Sequence, residues 1–492
     1  MSTTRTTTDP PTFVFGRRDR GGILLGFRPP QLLILGLGVA VVFVGLVTAG
    51  GRGGLVGTAV LVTAVAAAVL PIQGRPLVDW VRPVLNFGYQ RLTGQGRYLG
   101  GPWALHRNRY VRRLDLPGLG RPLKILQIPT TDGPIAALKL HDRWTVLVEV
   151  HPSTYVLADR ASQERRVAAW GSLLAQCGQE GSKIAGLQWL ERSIPDSGHA
   201  LEQWWDEHGN ADAPYAAPYR DLIGDAGPAA TRHEIFIAVS IDSHHVRRQI
   251  RLAGGGPEGA TQVLLTELAW IRQALSRVDL EVTSTIGVAD LTRLIRTQFD
   301  PAAACGIDRR PTHKTEYLTP VAAGPMAADA SWSHYRTDSG VHAVYWVAEW
   351  PSMPVEAAWC YPLLALGGIT RTISVSCEPI PPSKSLRKVR SQRVTKRADE
   401  AQRRRFGQVD TAQDDEEYDA IERRERELVH GHTEYRFTGW VTVSAESVDA
   451  LEAACAQVEQ AAVRSALELR RVHGEVDQAF AVAALPLNQG VR

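Results

Sequence analysis

The sequence lacks the cysteine patterns that indicate disulfide or zinc sites. Its 492 residues contain five cysteines, an odd number, and no two of them form a Cys-x-x-Cys pair. They lie far apart along the chain, at Cys177, Cys305, Cys360, Cys377 and Cys455. This usage excludes a disulfide framework and a tetrahedral zinc site, and it is typical of a protein in a reducing cytoplasm.

The sequence also lacks the short motifs of common enzyme classes. No GxxxxGK[ST] loop, GxSxG elbow or HExxH pair occurs. The glycine-rich run at 254–259 has neither the lysine nor the Ser/Thr of a nucleotide-binding loop, so we expect a flexible loop before a helix. The adjacent His244 and His245 point in opposite directions on an extended segment and make poor joint ligands. We therefore predict no catalytic, cofactor-binding or metal-binding residues.

Charge is nearly balanced, at a formal net charge of +3, and indicates no particular class of partner. The strongest local pattern lies at 383–430, where basic residues crowd 387–405 and acidic residues follow at 414–417. Arginine-rich patches can bind nucleic-acid phosphates, but this one has neighbouring acids and no aromatic stacking platform. We predict an exposed helical hairpin whose arms pair their charges, and direct nucleic-acid binding is disfavoured.

What the sequence has in abundance is apolar residues near its start. Residues 31–49 and 53–70 carry no charge, and only Gly50, Gly51 and Arg52 separate them. A bilayer core about 30 Å thick needs roughly 20 apolar residues of helix, close to the length of each run. Neither run has the polar face of a core helix, and a cleaved signal peptide has one short apolar region. We predict a two-helix transmembrane hairpin.

The flanks of this hairpin predict its orientation. Arginines cluster before the first run and after the second, whereas the turn carries Arg52 alone. Because positive flanks stay inside, we expect a multi-pass plasma-membrane protein with both termini in the cytoplasm. Trp80 and Tyr89 follow the second run, where amphipathic rings favour the membrane interface.

Beyond the hairpin, one order of elements occurs twice: hairpin, helix, strand, helical insert, strand, helix. This order predicts an α+β fold of two related subdomains, each a sheet with helices on one face. We expect amphipathic helices within 261–277 and 448–469, a helix at 355–366 and a last apolar strand at 480–485. In the first insert, Trp204 and Trp205 cannot both face one core, which suggests an interface residue.

These patterns divide the chain into six parts. They are a basic cytoplasmic segment at 1–30, the transmembrane hairpin at 31–70, a juxtamembrane linker at 71–127, the first α+β subdomain at 128–300, a linker at 301–330, and the second α+β subdomain at 331–492 with its charged helical insert at 383–430.

Several stretches carry a resemblance to known families. The opening FGRRDRGGILLGFRPPQLLIL, followed by two close apolar runs, resembles PrgI-like membrane proteins of actinobacterial type IV secretion and conjugation clusters. The pieces SHYRTDSGVHAVYWVAEWP, RTISVSCEPIPPSKSLRK, RERELVHGHTEYRFTGWVTVSA and AFAVAALPL resemble the N-terminal, non-ATPase domain of the large traffic ATPase of these machines. In that ATPase an ALP-like segment leads into the nucleotide-binding domain, whereas this sequence ends at Arg492, so we expect the motor on a separate chain.

The resemblance implies a non-enzymatic membrane component that anchors and docks a separate hexameric P-loop ATPase. Such a protein works with other membrane subunits in an oligomeric complex and needs no cofactor. One alternative is an EccE-like membrane subunit of a type VII secretion system, which also pairs two N-terminal spans with a cytosolic domain. Another is a membrane-tethered enzyme, which is disfavoured because no nucleophile–base–orienter set or metal set can be assembled.

Overall fold

The computed structural model describes Phe13, Phe15 and residues 29–72, 75–100, 113–152, 158–196, 198–226, 231–309, 320–405 and 412–490. The protein is a mixed α/β structure with a long apolar N-terminal helix and a large antiparallel sheet. The helices are α1 (Pro29–Val69), α2 (Leu77–Thr93), α3 (Arg160–Cys177), α4 (His199–His208), α5 (Ala216–Ala226), α6 (Arg247–Leu252), α7 (Gly256–Ser276), α8 (Val288–Phe299), α9 (Ala303–Asp308), α10 (Tyr361–Leu364), α11 (Pro382–Arg405), α12 (Ala412–Val429), α13 (Val448–Arg464) and α14 (Val476–Ala484). The strands are β1 (Pro71–Ile72), β2 (Arg75–Pro76), β3 (Arg97–Leu99), β4 (Arg113–Leu114), β5 (Leu123–Ile128), β6 (Ile135–Leu140), β7 (Arg143–Pro152), β8 (Ile184–Pro195), β9 (Thr231–Asp242), β10 (Leu280–Thr285), β11 (Ala327–Ala330), β12 (Tyr335–Thr337), β13 (Gly340–Glu349), β14 (Thr370–Ile380), β15 (Glu434–Ala445) and β16 (Glu468–Arg471).

The N-terminal apolar region forms one helical element, α1. Within the described residues, it is the one helix long and apolar enough to cross a membrane, and 6% of its most apolar window is buried. Its large side chains point outward; Phe43 and Leu55 are 68% and 75% exposed. Apolar exposure on this scale fits a segment surrounded by lipid.

Helix α1 is interrupted at Gly50, whose backbone is non-helical (φ 61°, ψ −141°). The residues before and after it contact each other. The Gln31 side chain donates to the Ala68 carbonyl oxygen at 2.8 Å, and a Cβ added at Gly45 would lie 2.5 Å from the Gly53 carbonyl oxygen. An unbroken helix would separate Gln31 from Ala68 by about 55 Å. The two arms of α1 therefore pack side by side; that each arm crosses a membrane stays a prediction.

Most of the predicted basic segment at 1–30 lies outside the described residues. Two residues ahead of α1 are described, and both contact the sheet domain. The backbone of Phe13 exchanges two hydrogen bonds with Val355, at 2.8 and 2.9 Å. The ring of Phe15 stacks on Trp350 with centroids 5.3 Å apart. The chain before α1 thus packs on the same domain as the chain after it.

Both predicted linkers contain regular structure. The segment at 71–127 supplies α2, the β1–β2 pair and the strands β3 and β4, and β5 begins within it. The segment at 301–330 contains α9 and β11. Residues 101–112 and 310–319 of these segments lie outside the described residues. The sheet domain therefore includes residues that the sequence pattern had placed in linkers.

Every strand except β1 and β2 belongs to one sheet, in which neighbouring strands run antiparallel. Its order is β3-β11-β12-β13-β15-β14-β8-β9-β7-β6-β5-β4, with β10 also beside β7 and β16 also beside β13. The two predicted subdomains, 128–300 and 331–492, therefore share a single sheet. They meet where β8 pairs with β14, in a register that includes Leu187 opposite Cys377.

The strand order repeats on the two sides of this junction. The first half reads β5-β6-β7-β9-β8 and the second reads β11-β12-β13-β15-β14. Strand β10 lies beside β7 as β16 lies beside β13. A two-helix insert separates β8 from β9 (α4 and α5), and another separates β14 from β15 (α11 and α12).

Helices cover both faces of the sheet. Helices α8 and α14 pack together on one face, where the ring centroids of Phe299 and Phe480 lie 5.2 Å apart. Both halves of the sheet contribute side chains to the hydrophobic cluster on this face. The other face holds α7 against the first half and α13 against the second. The prediction of helices on one face is wrong, because the central strands are apolar on both sides: Leu190 belongs to the first cluster and Leu187 to the opposite one.

The amphipathic helix predicted within 261–277 is confirmed as α7. The helix predicted within 448–469 is confirmed as α13 as far as Arg464, but Leu469, which was predicted on its apolar face, lies in β16. The two helices bury the predicted faces, which are Leu264, Leu268, Ile271 and Leu275 on α7 and Leu451, Cys455, Val458 and Ala462 on α13. Two other local predictions are wrong. Residues 480–484 belong to helix α14, because an apolar run without a period fits a buried helix as well as a strand. The helix predicted at 355–366 is shortened to α10, about one turn long.

Candidate anchoring and docking surfaces

The polar residues considered for ligand binding are not brought together in the fold. His244 and His245 lie in the exposed turn after β9, and both contact Asp242: the His244 backbone N–H donates to it at 2.8 Å, and the His245 ring lies 3.6 Å away. The first three glycines of the run at 254–259 have positive φ values of 100°, 75° and 57° and lead into α7. Within the described residues, no group of three His, Cys, Asp or Glu side chains could hold a metal ion.

The cysteines do not have the character of nucleophiles. All five are free thiols, and Cys177 and Cys455 are buried. Burial raises the pKa of the Cys177, Cys360 and Cys377 thiols to about 12. Since the thiolate is the reactive form, these three side chains are protonated and inert at neutral pH.

A buried charge network lies where β8, β9, α8 and α9 meet. Its centre is Glu234, whose side chain is 6% exposed. Three arginines contact this carboxylate, Arg192 at 3.5 Å, Arg293 at 3.1 Å and Arg232 at 3.0 Å. Asp308 accepts from Arg293 and Arg232, each at 2.8 Å. Three cations therefore share two carboxylates at the point where the chain enters β9 from α5.

The electrostatics of this network keep it ionised. Burial raises the pKa of the Glu234 carboxyl, but Arg192, Arg293 and Arg232 together outweigh burial and the net pKa is lowered. Burial lowers the pKa of Arg192 to about 10, so this arginine is still charged at neutral pH. We interpret the network as structural: it ties β8 and β9 to α8 and α9. The sequence signal for it is slight, a single glutamate opening the apolar strand EIFIAVS.

The α4–α5 insert presents an apolar surface to solvent. Trp205 packs against Tyr219 of the other helix, with ring centroids 4.8 Å apart. Trp204 is 53% exposed and stacks on His208. The prediction that these adjacent tryptophans do not share one core is confirmed. Exposed apolar side chains follow one face of each helix, at Leu201, Trp204, Tyr215, Tyr219 and Leu222.

The α11–α12 insert has the opposite character. Arg393 on α11 lies 2.8 Å from Glu425 and 4.0 Å from Glu422 on α12. Arg424 contacts Glu434 at the start of β15. The predicted helical hairpin is confirmed, and Arg393 with Glu425 is a pair of the predicted kind across its arms. The charge of Arg393 is thus balanced within the insert.

Helix α2 joins the apolar α1 to the sheet domain. The rings of Trp80 and Phe87 pack on Trp332, with centroids 6.0 and 5.3 Å apart. The Asn86 side chain donates to Glu475 at 3.2 Å. Helix α2 also contacts α1. Helix α1 and the sheet domain are therefore connected by a packed helix, and the sequence pattern missed this because the partner residues lie hundreds of positions away.

In comparisons with known proteins, no family model matches the chain and no curated protein matches it. The functional interpretation is therefore built from the apolar helix, the two inserts and α2.

Proposed function

We propose that this protein is a non-enzymatic membrane component of a type IV secretion or conjugation-like machine. The two arms of α1 cross the plasma membrane as a hairpin, and both termini lie in the cytoplasm. The sheet domain docks a separate hexameric P-loop ATPase. The protein acts as an oligomer together with other membrane subunits.

The topology is supported by the residues ahead of α1. Phe13 and Phe15 contact the sheet domain at Val355 and Trp350, although all of α1 separates them from it in sequence. Two segments on the same side of a membrane require an even number of crossings between them, and the paired arms of α1 supply two. The arginine-rich flanks of α1 favour the cytoplasm for that side.

The docking role is supported by one observation above the others, the outward surface of the α4–α5 insert. Trp204, Tyr215 and Leu222 are 53%, 74% and 60% exposed on a two-helix unit outside the sheet. Tryptophan and tyrosine dominate the residues that contribute most to protein binding. The Glu234 network lies in β8 and β9, the strands from which the insert leaves the sheet, and ties them to α8 and α9. We assign ATPase docking to this surface.

The repeated strand order supports a finer proposal about the sheet domain. Each half carries the same set of strands and a two-helix insert at the same point. We propose that the halves are two related α+β subdomains whose central strands β8 and β14 merged them into one sheet. One subdomain then supplies the docking insert and the other supplies the charged insert.

The test is affinity capture of the full-length protein, tagged and solubilised in detergent from its native membranes. Wild-type protein should retain a P-loop ATPase, identified by mass spectrometry. The change Trp204→Ala should weaken capture about 30-fold, since a central tryptophan contributes about 2 kcal/mol to an interface. The matched control is Val394→Ala, which removes a 69%-exposed apolar side chain from the other insert. It should capture as well as wild type.

The outcomes separate the parts of the proposal. If the wild-type protein retains no ATPase, the docking function is wrong. If it retains one and Trp204→Ala captures equally well, docking stands and its assignment to α4–α5 is wrong. Retention of a type VII secretion ATPase would favour the EccE-like interpretation.

A further inference from the structure

Helix α2 has a second apolar face, whose side chains are exposed rather than packed on the sheet domain. Its large side chains recur at the spacing i, i+4, i+7, i+8, i+15, which keeps them on one side of a helix. They are exposed to increasing degrees along the helix: Leu77 38%, Val81 47%, Val84 50%, Leu85 67% and Leu92 90%.

This outward face is distinct from the face that packs on the sheet domain. The domain side of α2 carries Trp80 and Phe87, which pack on Trp332. Pro83 is also on that side, buried, with its carbonyl oxygen 3.0 Å from a Cβ built on Gly474. The sheet domain therefore packs against one side of α2 and leaves the other side exposed.

The borders of the outward face carry charge and an aromatic hydroxyl. At 100° per residue, Arg91 lies on one border of the apolar arc and Arg82 lies beyond the other, next to Tyr89. Both arginines are exposed, and Tyr89 is 57% exposed. An apolar arc flanked by arginine and an amphipathic ring is the pattern of a helix lying in the headgroup region of a membrane.

The chain connection identifies what covers this face. Helix α1 ends at Val69 and α2 begins at Leu77, with the β1–β2 pair (Pro71–Ile72 with Arg75–Pro76) between them. A link this short reaches at most about 25 Å even when extended, and the pairing of β1 with β2 shortens it. If α1 spans the bilayer, α2 begins close to the membrane surface, and it also contacts α1.

We propose that α2 lies in the plane of the inner membrane surface, with its outward face among the lipid acyl chains. Arg82 and Arg91 then meet anionic headgroups, and the opposite side of α2 holds the Trp332 edge of the sheet domain against the membrane. This inference rests on the proposed membrane insertion of α1. It assigns the domain a fixed orientation, since α2 is bound to the bilayer on one side and to the domain on the other.

The test uses photocrosslinking to lipid in the full-length protein. The photoreactive residue p-benzoylphenylalanine replaces Leu85 or Leu92 on α2, Val62 on α1, or Leu252, which is 80% exposed on α6. Each variant is reconstituted in vesicles of phosphatidylcholine and phosphatidylglycerol, irradiated, and analysed for lipid adducts by mass spectrometry. All four positions are exposed, so the large probe does not disturb packing.

We expect lipid adducts at Val62, Leu85 and Leu92 at comparable yield, and at least about ten times less at Leu252. Adducts at Val62 with yields at Leu85 and Leu92 no higher than at Leu252 would overturn the inference and leave the membrane anchor standing. A covalent dimer at Leu85 in place of lipid adducts would also overturn it, because a second copy would then cover this face. Absence of adducts at Val62 would refute the membrane insertion of α1, and with it the placement of α2.

Discussion

The α4–α5 insert leaves the sheet between β8 and β9, and the α11–α12 insert leaves it between β14 and β15, at the same point of the repeated order. The first exposes aromatic and aliphatic side chains such as Trp204 and Leu222. The second is rich in charge, and Arg393 pairs across its arms with Glu425. The framework therefore repeats while the surfaces built on it do not, which places the functional difference between the halves in their inserts.

The ion pairs near the points where the two inserts leave the sheet also differ. Glu234, near the start of β9, is 6% exposed and contacts three arginines. Glu434, the first residue of β15, is 17% exposed and pairs with Arg424, which is 35% exposed. A surface that binds a partner gains from rigid support, whereas a solvated charged hairpin tolerates weak, screened pairs. We infer that the ion pairs beside the first insert contribute more stability than the pair beside the second.

The largest effect should come from breaking the buried network with Glu234→Gln. The substitution keeps the shape of the side chain and leaves Asp308 as the contacting carboxylate of Arg232 and Arg293, whereas Arg192 loses the carboxylate it contacts. Removing one partner from a buried ion pair costs about 3–5 kcal/mol of stability. The melting temperature of the detergent-solubilised protein should fall by at least about 5 °C.

The matched control for this change is Glu434→Gln at the base of the other insert. Its partner Arg424 reaches solvent, so the loss should stay below about 1 kcal/mol. Equal falls in melting temperature for the two variants would contradict the inferred difference between the inserts.

Lowering the pH should also lower the melting temperature, but by less than Glu234→Gln does. The pKa values of Glu234 and Asp308 are raised by burial but lowered further by their arginine partners, so both lie below their ordinary range. A depressed pKa contributes stability that is complete above the unfolded value, about 4, and is lost as pH falls through the folded value. The melting temperature should be flat near neutral pH and fall in acid, and Glu234→Gln should fall less steeply than wild type. Parallel acid curves for the two proteins would show that Glu234 is not part of this linkage.

The sequence predicted the elements whose pattern is local. Helix α7 has one apolar face at a period near 3.6, and the charged arms of α11 and α12 carry their partners within the same insert, so both could be found from neighbouring residues. Helix α14 was mistaken for a strand because its apolar residues are buried on every side, and full burial removes the periodic signal.

The features that the sequence did not predict depend on contacts between residues that are distant in sequence. The pairing of β8 with β14 joins positions about 180 residues apart, and it alone turns two expected sheets into one. The Glu234 network draws residues from β8, β9, α8 and α9. The two faces of α2 look alike in sequence, and only the position of Trp332 separates the face that packs from the face that is free. The exposure of Trp204, on which the proposed docking surface rests, was predicted in part through the conflict between Trp204 and Trp205.

The smallest effect should come from the charged insert, through the pair Arg393 and Glu425. The two side chains are 33% and 21% exposed, and solvent screening limits such a pair to about 1 kcal/mol or less. In a double-mutant cycle, Arg393→Ala, Glu425→Ala and the combined variant should each lower the melting temperature by less than about 2 °C.

The same three variants also test which of the two inserts docks the ATPase. Because none of them touches α4 or α5, all three should capture the ATPase as strongly as wild type in the assay that Trp204→Ala weakens. Loss of capture in Arg393→Ala, restored in the charge-swapped variant Arg393→Glu with Glu425→Arg, would move the docking site to the charged insert. In that case the apolar face of α4–α5 would need another occupant.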